Sequence, residues 1–374
     1  MNYLFNFIKS LINLVNFIKL ENKKKEFVFF SESKFYREHF KDLILELKKR
    51  DQSNIIFVTM DQDDIKYFKE YVKIFLISNF IILKLFFILL KCRFMIMTLP
   101  DLGNHIIKSK NCDFYVYFYH ALGSTHKIYT KEAFKNYEII FTNGEYQSKE
   151  LRKAEIKYNF PRKEIVNVGY FFLDHLKKKA NLKIIEEKNI LFAPSWNYNI
   201  KNLFNDYSIQ IISKLLNDNY KVTLRPHPEH YKRSINTINS IKKKFMDNSN
   251  FEFDERLSNL ESMEKASVLI TDNSAIDMEY VLIFERPVVQ IQYIDKIHND
   301  FDDIQELISM ENDFKKQFTI KLDVKEINNL NQIIKKIDKR NIGEKINFFK
   351  KKYLSHEGNS TVFASNFILK EVIR

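Results

Sequence analysis

Two histidines follow predicted strands and are the strongest candidates for chemistry in this sequence. An apolar run ending at Tyr119 leads into His120, and the small residues Gly123 and Ser124 follow shortly after. A histidine titrates near neutral pH, so His120 could act as a general base. Gly123 and Ser124 could donate hydrogen bonds to a phosphate. The alternative is a histidine whose hydrogen bonds are satisfied within a loop.

The second histidine lies in the segment Arg225-Pro226-His227-Pro228, directly after a predicted strand. The two prolines restrict the backbone around His227. Arg225 could bind two phosphate oxygens at once, and His227 could donate a further hydrogen bond. A rigid loop would explain the prolines but not the arginine and the histidine together, so this is the most specific local signal in the chain.

A third candidate site lies between a predicted strand and a predicted helix, at Asp272, Asn273 and Ser274. The free N–H groups at a helix start attract phosphate, and Ser274 or Asn273 would sit there. Glu279, one turn into the helix, could accept hydrogen bonds from a ribose. The alternative is a simple helix cap made by Asp272.

A fourth segment, Pro194-Ser195-Trp196, leaves another predicted strand and carries the only tryptophan. It could border a nucleotide, or Trp196 could pack at a domain interface. In open α/β sheets ligands bind at the carboxyl ends of the strands, which is where all four segments are predicted to lie.

The elements that must position these segments alternate between strands and helices. Strands are predicted at Phe27–Phe30, Asn54–Val58, Ile74–Ile77, Phe94–Thr98, Tyr115–Tyr119, Ile139–Thr142, Ile190–Ala193, Lys221–Arg225, Phe251–Phe253, Val268–Thr271 and Val288–Ile291. Helices are predicted at Arg37–Lys49, Glu145–Lys157, Ser208–Leu216, Leu260–Ala266 and Ile276–Ile283. This alternation predicts the α/β class, with helices on both faces of parallel sheets.

The alternating pattern restarts near residue 180, which predicts two Rossmann-like domains. We place the first at residues 1–180 and the second at residues 181–374, with the last helix, Ser360–Arg374, able to pack back on the first domain. A length of 374 residues agrees with two domains of ordinary size.

Composition excludes several classes of protein. Apolar residues make up 45% of the chain, which is typical of a globular protein. Two cysteines, Cys92 and Cys112, cannot form a disulfide scaffold, and the lack of a Cys/His cluster makes structural zinc unlikely. The net charge of +12 favours anionic partners such as nucleotides, nucleic acid or an acidic membrane. No nucleic-acid-binding motif is apparent, although nucleic-acid binding stays an alternative.

Two apolar segments raise the question of membrane contact. Residues 1–20 have apolar residues at helical spacing, which predicts an amphipathic helix that lies on an anionic membrane surface or packs on its own domain. Ile74–Leu90 is near the lower length limit for a membrane span and contains Ser78, Asn79 and Lys84. We interpret it as a buried strand, a short turn and a buried helix.

In this order, the motifs resemble the CDP-glycerol glycerophosphotransferase family, of the teichoic-acid polymerase and primase type. The resemblance covers about residues 90–300. It is carried by Met97–Asp101, His120–Ser124, Gly169-Tyr170, Leu173-Asp174, Ala193–Trp196, Arg225–Pro228, Thr271–Ser274, Glu279-Tyr280 and Pro287.

The resemblance implies a GT-B-like fold, with two facing Rossmann-like domains and the active site in the cleft between them. It implies transfer of glycerol phosphate, or a related alditol phosphate, from a CDP-activated donor to a hydroxyl group, with release of CMP. It also implies a cytoplasmic protein, peripheral on the inner face of the cell membrane. The acceptor would be a cell-surface glycan or a lipid-linked molecule, with no cofactor, metal or nucleic acid involved.

Residue by residue, the resemblance makes His120 the base that activates the acceptor hydroxyl. Arg225 and His227 would hold the donor pyrophosphate. The remaining substrate-binding candidates, by the motifs they match, are Gly123, Ser124, Pro194, Ser195, Asp272, Asn273, Ser274 and Glu279. Of these, Ser274 would contact phosphate, Glu279 the cytidine ribose, and Pro194 with Ser195 would border the nucleotide.

The chain departs from the family pattern in three respects. Asn273-Ser274-Ala275 supplies one hydroxyl where the family usually has two. The long membrane-associating extension is missing, and the chain is shorter than the polymerases, so a single transfer to a surface glycan fits as well as polymerisation. A GT-B glycosyltransferase using another sugar nucleotide, a 2-epimerase and a membrane scaffold are the further alternatives.

Overall fold

The computed structural model describes residues 2–22, 25–50, 54–104, 106–182, 186–197, 199–294, 309–337 and 342–373. Contacts divide these residues into two units. The first consists of the described residues of Met1–His175 and Tyr353–Arg374, and the second of those of Leu176–His298 and Ile308–Lys352. Each unit contains one parallel sheet with helices between the strands, so the predicted α/β class is confirmed.

The sheet of the first unit has seven strands in the order β3-β2-β1-β4-β5-β6-β7. The strands are β1 (Phe27–Ser31), β2 (Ile55–Thr59), β3 (Lys73–Leu76), β4 (Cys92–Met97), β5 (Cys112–Phe118), β6 (Ile139–Thr142) and β7 (Glu164–Asn167). All neighbours pair in parallel. β1 and β2 are buried along their whole length, as expected for strands covered on both faces.

Helices follow most of these strands and cover the sheet. They are α1 (Asn2–Ile18), α2 (Arg37–Lys49), α3 (Asp63–Phe68), α4 (Phe80–Leu89), α5 (Thr125–Ile128), α6 (Glu145–Tyr158), α7 (Phe171–Lys179) and α16 (Ser360–Ile373). α16 packs against α2. The Asp174 carboxylate on α7 accepts hydrogen bonds from the backbone N–H groups of Gly358 (2.7 Å) and Ser360 (3.1 Å), which anchors the start of α16.

α1 packs one face on the first unit and leaves apolar residues on another face. Leu14 and Phe17 are buried, and the Ser10 hydroxyl accepts hydrogen bonds from the backbone N–H groups of Ser78 (3.1 Å) and Asn79 (3.2 Å). Its exposed large apolar residues are Tyr3, Leu4, Phe5, Ile8, Leu11, Ile12, Val15 and Ile18. The helix therefore packs on its own unit and also presents an apolar surface.

The apolar segment after residue 74 forms a strand and a helix, as predicted from its sequence. β3 ends at Leu76, and the Asn79 side chain caps α4 by accepting hydrogen bonds from the backbone of Ile81 (3.0 Å) and Ile82 (3.3 Å). The prediction of a fully buried helix is wrong, since α4 also exposes Phe80, Ile81, Leu85, Ile88 and Leu89. Within the described ranges, no helix has both the length and the apolar character needed to cross a membrane.

The sheet of the second unit has six parallel strands in the order β10-β9-β8-β11-β12-β13. The strands are β8 (Glu186–Phe192), β9 (Lys221–Leu224), β10 (Phe251–Phe253), β11 (Ala266–Thr271), β12 (Val288–Gln292) and β13 (Thr319–Asp323). The helices are α8 (Leu203–Asn217), α9 (His230–Arg233), α10 (Ile235–Phe245), α11 (Leu260–Lys265), α12 (Ile276–Phe284), α13 (Met310–Phe318), α14 (Leu330–Lys336) and α15 (Ile342–Tyr353). β8 and β11 are neighbours, so the loops that follow them lie side by side.

Candidate functional site

His120 lies just beyond the carboxyl end of β5 in the first unit, where the sequence predicted it. Its ring is half-buried and packs edge-on against Tyr36, with 5.1 Å between ring centroids. The Tyr170 hydroxyl donates a 3.1 Å hydrogen bond to the His120 carbonyl oxygen, which fixes the backbone. The imidazole bonds to the Thr98 backbone, while Nδ1 has no hydrogen-bond partner among the described residues.

Burial lowers the pKa of His120 to about 4, and the hydrogen bond to the Thr98 backbone opposes this effect only partly. The imidazole is therefore neutral at pH 7, and its Nδ1 atom is buried and accepts no hydrogen bond from another described residue. The neutral ring is the protonation state in which a histidine acts as a general base, and the most efficient general bases have a pKa near the working pH.

Two further histidines, which sequence analysis did not select, lie behind His120. The ring of His39, on α2, is 6.3 Å from that of His120 and packs at 4.2 Å on Phe172. His175, on α7, has its Nδ1 atom 3.1 Å from Asp42 Oδ1. Burial, followed by the charges of His120 and His175, lowers the pKa of His39 well below its usual value. The position of His39 on the buried face of an amphipathic helix was the signal that could have revealed it.

The turn after His120 is built from buried groups. Gly123 has a φ of 144°, in the region that favours glycine, and its carbonyl accepts a 2.9 Å hydrogen bond from Gln147 Nε2. The Ser124 side chain is completely buried, and its contact with a phosphate stays a prediction. The turn shapes the loop around His120 and places Ser124 at the start of α5.

In the second unit, the loops after β8 and β11 are joined by a side chain. Asp272 Oδ1 accepts a 2.6 Å hydrogen bond from the backbone N–H of Ser195, and Thr271 Oγ1 donates one of 2.7 Å to the Ala193 carbonyl. Pro194 and Ser195 are buried in this junction. Asp272 therefore holds the neighbouring loop and is not the cap of α12, where Ala275 is the N-cap residue.

Arg225 and His227 leave the end of β9 in different ways. Arg225 donates hydrogen bonds to Asp254 Oδ2 (2.7 Å) and to the Leu257 carbonyl (3.0 Å), so its guanidinium pairs with a buried carboxylate, and its contact with a phosphate stays a prediction. His227 is half-buried, and its Nδ1 accepts a 3.2 Å hydrogen bond from the backbone N–H of Glu229. Because Nδ1 is the acceptor, the proton of the neutral ring is on Nε2, which is a hydrogen-bond donor.

Trp196 lies beside His227, with 6.1 Å between ring centroids, and the Arg233 guanidinium lies 5.1 Å from the Trp196 ring. An aromatic plane next to an imidazole donor and a cation can accommodate a base or a phosphate. The segments after β8 and β9 thus come together, as the sequence predicted for strand ends of one sheet.

A lysine that sequence analysis missed reaches the third segment. Lys315, on α13, donates a 2.7 Å hydrogen bond to Asn273 Oδ1, which also accepts one of 3.2 Å from Gln290 Nε2. Ser274 is partly exposed, and α12 begins two residues after it. No local pattern in the sequence indicates Lys315, because only the sheet order brings β12 and the end of α13 beside β11.

Two carboxylates lie in the first turn of α12. Asp277 is buried, and burial raises its pKa to about 7, against a lowering effect of the Lys315 charge. Glu279 is also buried, and its Oε2 accepts a 3.2 Å hydrogen bond from Asn259 Nδ2, so this carboxylate has a partner within the unit.

The chain matches a protein-family model over residues 11–362, nearly its whole length. That family is described as CDP-glycerol:poly(glycerophosphate) glycerophosphotransferase. No curated protein matches the chain in a sequence search.

Solved structures with the same fold include the wall teichoic acid polymerase TagF, in a histidine-to-asparagine variant soaked with CDPG. It is 17% identical, with a TM-score of 0.56, and the match covers 99% of this chain and 98% of that one. The S. aureus MnaA–UDP complex is 13% identical, with a TM-score of 0.61 and 93% and 96% covered. A Neisseria meningitidis UDP-GlcNAc 2-epimerase bound to UDP-GlcNAc is 13% identical, with a TM-score of 0.58 and 92% and 99% covered. These matches confirm the GT-B-like fold.

Proposed function

This chain belongs to the CDP-glycerol:poly(glycerophosphate) glycerophosphotransferase family, and we propose that its acceptor is a hydroxyl group of a cell-surface glycan or of a lipid-linked molecule. Glycerol phosphate comes from CDP-glycerol, and CMP is released. The single observation that carries the proposal for this chain's own site is the half-buried, neutral imidazole of His120, whose buried Nδ1 has no hydrogen-bond partner among the described residues.

His120 removes the proton from the acceptor hydroxyl in this proposal. The acceptor oxygen then forms a bond to the phosphorus that carries glycerol, and the bond from that phosphorus to the bridging oxygen breaks. The electron pair of the broken bond stays on CMP, and the proton stays on His120 Nδ1. The low pKa of His120 keeps the base form fully populated at neutral pH, although a base with such a pKa holds the proton weakly.

The second unit binds the donor. His227 Nε2 donates a hydrogen bond to a pyrophosphate oxygen, since its Nδ1 is engaged by the Glu229 N–H group. Lys315 and the backbone near Ser274 supply further positive potential at the end of β11. Pro194 and Ser195 border the nucleotide through a loop that Asp272 holds in place. Arg225 contributes by fixing the β9 exit through Asp254.

A donor screen tests this proposal. The purified chain is incubated with CDP-glycerol, CDP-ribitol, a CMP-sugar and a UDP-sugar, each with a glycerol phosphate oligomer as acceptor, and nucleotide release is measured. We expect release of CMP from CDP-glycerol to be the fastest. Preferred turnover of a UDP-sugar would contradict the proposal and favour a glycosyltransferase on the same fold.

We also propose that the chain is peripheral on an anionic membrane surface, through α1 and α4. The two helices pack against each other, and both expose large apolar side chains, among them Phe5 and Ile12 of α1 and Phe80 and Ile81 of α4. Co-sedimentation with vesicles of phosphatidylglycerol tests this. The paired substitution Phe5→Ser and Phe80→Ser should reduce the bound fraction, while Ile156→Ser, at an exposed apolar residue on α6, should not. Equal bound fractions for the paired Phe5→Ser and Phe80→Ser variant and for Ile156→Ser would overturn the assignment of α1 and α4 as the membrane surface.

A further inference from the structure

An apolar cavity of about 230 Å³ lies in the first unit, beside the carboxyl ends of β1, β2 and β4. Its apolar lining includes Phe30, Met60, Leu83, Phe87, Leu99 and Ile106. We propose that this cavity binds a hydrocarbon chain of an anionic lipid, the lipid being the anchor of the acceptor. That this lipid anchors the acceptor rests on the proposed function, whereas the binding of a hydrocarbon chain in the cavity does not.

The chemistry of the lining selects the occupant. Among the lining residues that the structure describes, Glu32 and Lys84 are the charged ones, and none of these lining residues has a neutral polar side chain. A cavity lined by aliphatic and aromatic groups holds water poorly, because water needs two to four polar partners, and an engineered cavity of about 150 Å³ with such a lining binds benzene. The present cavity is larger and therefore has room for a segment of an alkyl chain.

The cavity is continuous with the apolar surface of α4. Phe80 is 61% exposed and also lines the cavity, and Lys84, one turn later, is exposed as well. The cavity therefore reaches the surface at the helix whose neighbouring residues Ile81 and Leu85 are exposed. A hydrocarbon chain can enter the cavity at this point directly from an apolar phase, without passing through water.

Lys84, which is exposed at this opening, offers a cation to the phosphate of an anionic lipid, whereas the other charged lining residue, Glu32, is a carboxylate that would oppose one. The Lys84 ammonium lies 5.8 Å from the centroid of the Phe80 ring. A phosphate attached to the bound chain would lie near this ammonium group. Lys84 thus provides a cation beside the apolar entrance, and the alkyl stem of the lysine can lie along the chain.

The cavity and His120 are linked through adjacent residues of one loop. Thr98 bonds through its backbone to the His120 imidazole, and the next residue, Leu99, lines the cavity. The cavity therefore lies at the same edge of the sheet as the proposed base. This placement explains why an acceptor carrying a lipid anchor would gain affinity from the first unit.

Binding of radiolabelled dodecyl phosphate, measured by equilibrium dialysis below its micelle concentration and without CDP-glycerol, tests the proposal. Leu83→Trp fills the cavity, and Ile156→Trp is the control, because Ile156 is an exposed apolar residue on α6 that does not line the cavity. We expect Leu83→Trp to weaken binding about tenfold or more and Ile156→Trp to leave it within about twofold. Lys84→Met should weaken binding by a smaller factor, and inorganic phosphate should not compete.

Thermal unfolding checks that each variant is folded, and Met60→Trp replaces Leu83→Trp if the latter is not. Equal affinity of the folded cavity-filling variant and the wild type would overturn the proposal, and so would full competition by inorganic phosphate. Dodecyl phosphate binding without CMP release from CDP-glycerol would contradict the proposed function and leave the cavity assignment standing. Normal CMP release without dodecyl phosphate binding would overturn the cavity assignment alone.

Discussion

Asp272 Oδ1 accepts a 2.6 Å hydrogen bond from the backbone N–H of Ser195, and this bond joins the loops that follow two neighbouring strands, β11 and β8. Both residues are buried. A carboxylate that accepts a hydrogen bond from a buried N–H group stabilises the loop geometry as well as the fold. This hydrogen bond therefore holds together the two segments that the sequence predicted to contact the donor.

Replacing Asp272 by alanine should loosen this junction. We expect Asp272→Ala to lose about 1–3 kcal/mol of unfolding free energy and to raise KM for CDP-glycerol, because the Ser195 N–H group loses its acceptor. Asp272→Asn keeps an acceptor oxygen and should lose less. Urea unfolding and steady-state kinetics provide both quantities. Equal stability and KM in Asp272→Ala and the wild type would contradict this role.

The main effect of replacing Arg225 should be a loss of unfolding free energy. Its partner Asp254 has a fully buried side chain, and Arg225→Met leaves that carboxylate to Arg256 and Ser262. We expect a loss of about 3 kcal/mol, measured by urea unfolding at pH 7. Lys242→Met, at an exposed ion pair with Glu255, is the control and should lose no more than about 1 kcal/mol. A loss in Arg225→Met no larger than that in Lys242→Met would contradict this role.

Asp254 also predicts a dependence of this stabilisation on pH. Burial alone would raise the pKa of Asp254, but hydrogen bonds from Arg256 and Ser262 and the charge of Arg225 lower it. A carboxylate whose folded pKa is lowered stabilises the fold above its unfolded pKa, near 3.9, and loses that contribution as the pH falls below it. The stability difference between the wild type and Arg225→Met should therefore persist from pH 7 to about pH 4.5.

The buried carboxyl group of Asp277 predicts a loss of stability as the pH rises. Burial raises its pKa to about 7, so between about pH 4 and pH 7 the folded chain keeps a proton that the unfolded chain has released. This group should lower stability as the pH rises through that range, by an amount on the order of 4 kcal/mol. Asp277→Asn should remove this part of the pH dependence and be more stable than the wild type at pH 8. Parallel stability curves for the two proteins would refute the assignment.

The buried histidines predict sensitivity to acid. Burial, then the charges of His120 and His175, lowers the pKa of His39, so below about pH 6.5 the unfolded chain binds protons that the folded chain does not. The contribution of His39 to stability should therefore fall as the pH drops from 7 to 5. His39→Phe, which can still pack on Phe172, should fall less steeply, while His356→Asn, at an exposed position, should follow the wild type. Urea midpoints at pH 5 and pH 7 measure the difference.

The sequence predicts most of the two sheets because their central strands are continuous apolar runs. Ile139–Thr142 and Phe251–Phe253 have the predicted bounds, whereas β7 and β13 were missed. Both missed strands lie at sheet edges, and most of their residues are partly or fully exposed. They therefore lack the apolar run that identifies a buried strand. Edge strands are recognised from their pairing, which a single sequence does not contain.

The site is only partly predictable for a related reason. Residue types at strand ends indicated His120 and His227, but the partners of each side chain depend on which strands are neighbours. Asp254 captures Arg225 because β10 pairs with β9. Lys315 reaches Asn273 because the sheet order places the β12–β13 edge beside β11. No spacing along the chain reveals either contact, since both join segments more than 25 residues apart.

The most direct test of the account is CMP release from CDP-glycerol by His120→Asn, with His356→Asn as the matched substitution at an exposed histidine. The account predicts that His120→Asn lowers kcat by about 10²–10⁴-fold while CDP-glycerol protects it against heat as it does the wild type. It also predicts that kcat/KM of the wild type is constant from pH 8 to about pH 5, since the pKa of His120 is about 4. Near-normal turnover by a folded His120→Asn protein would contradict the account.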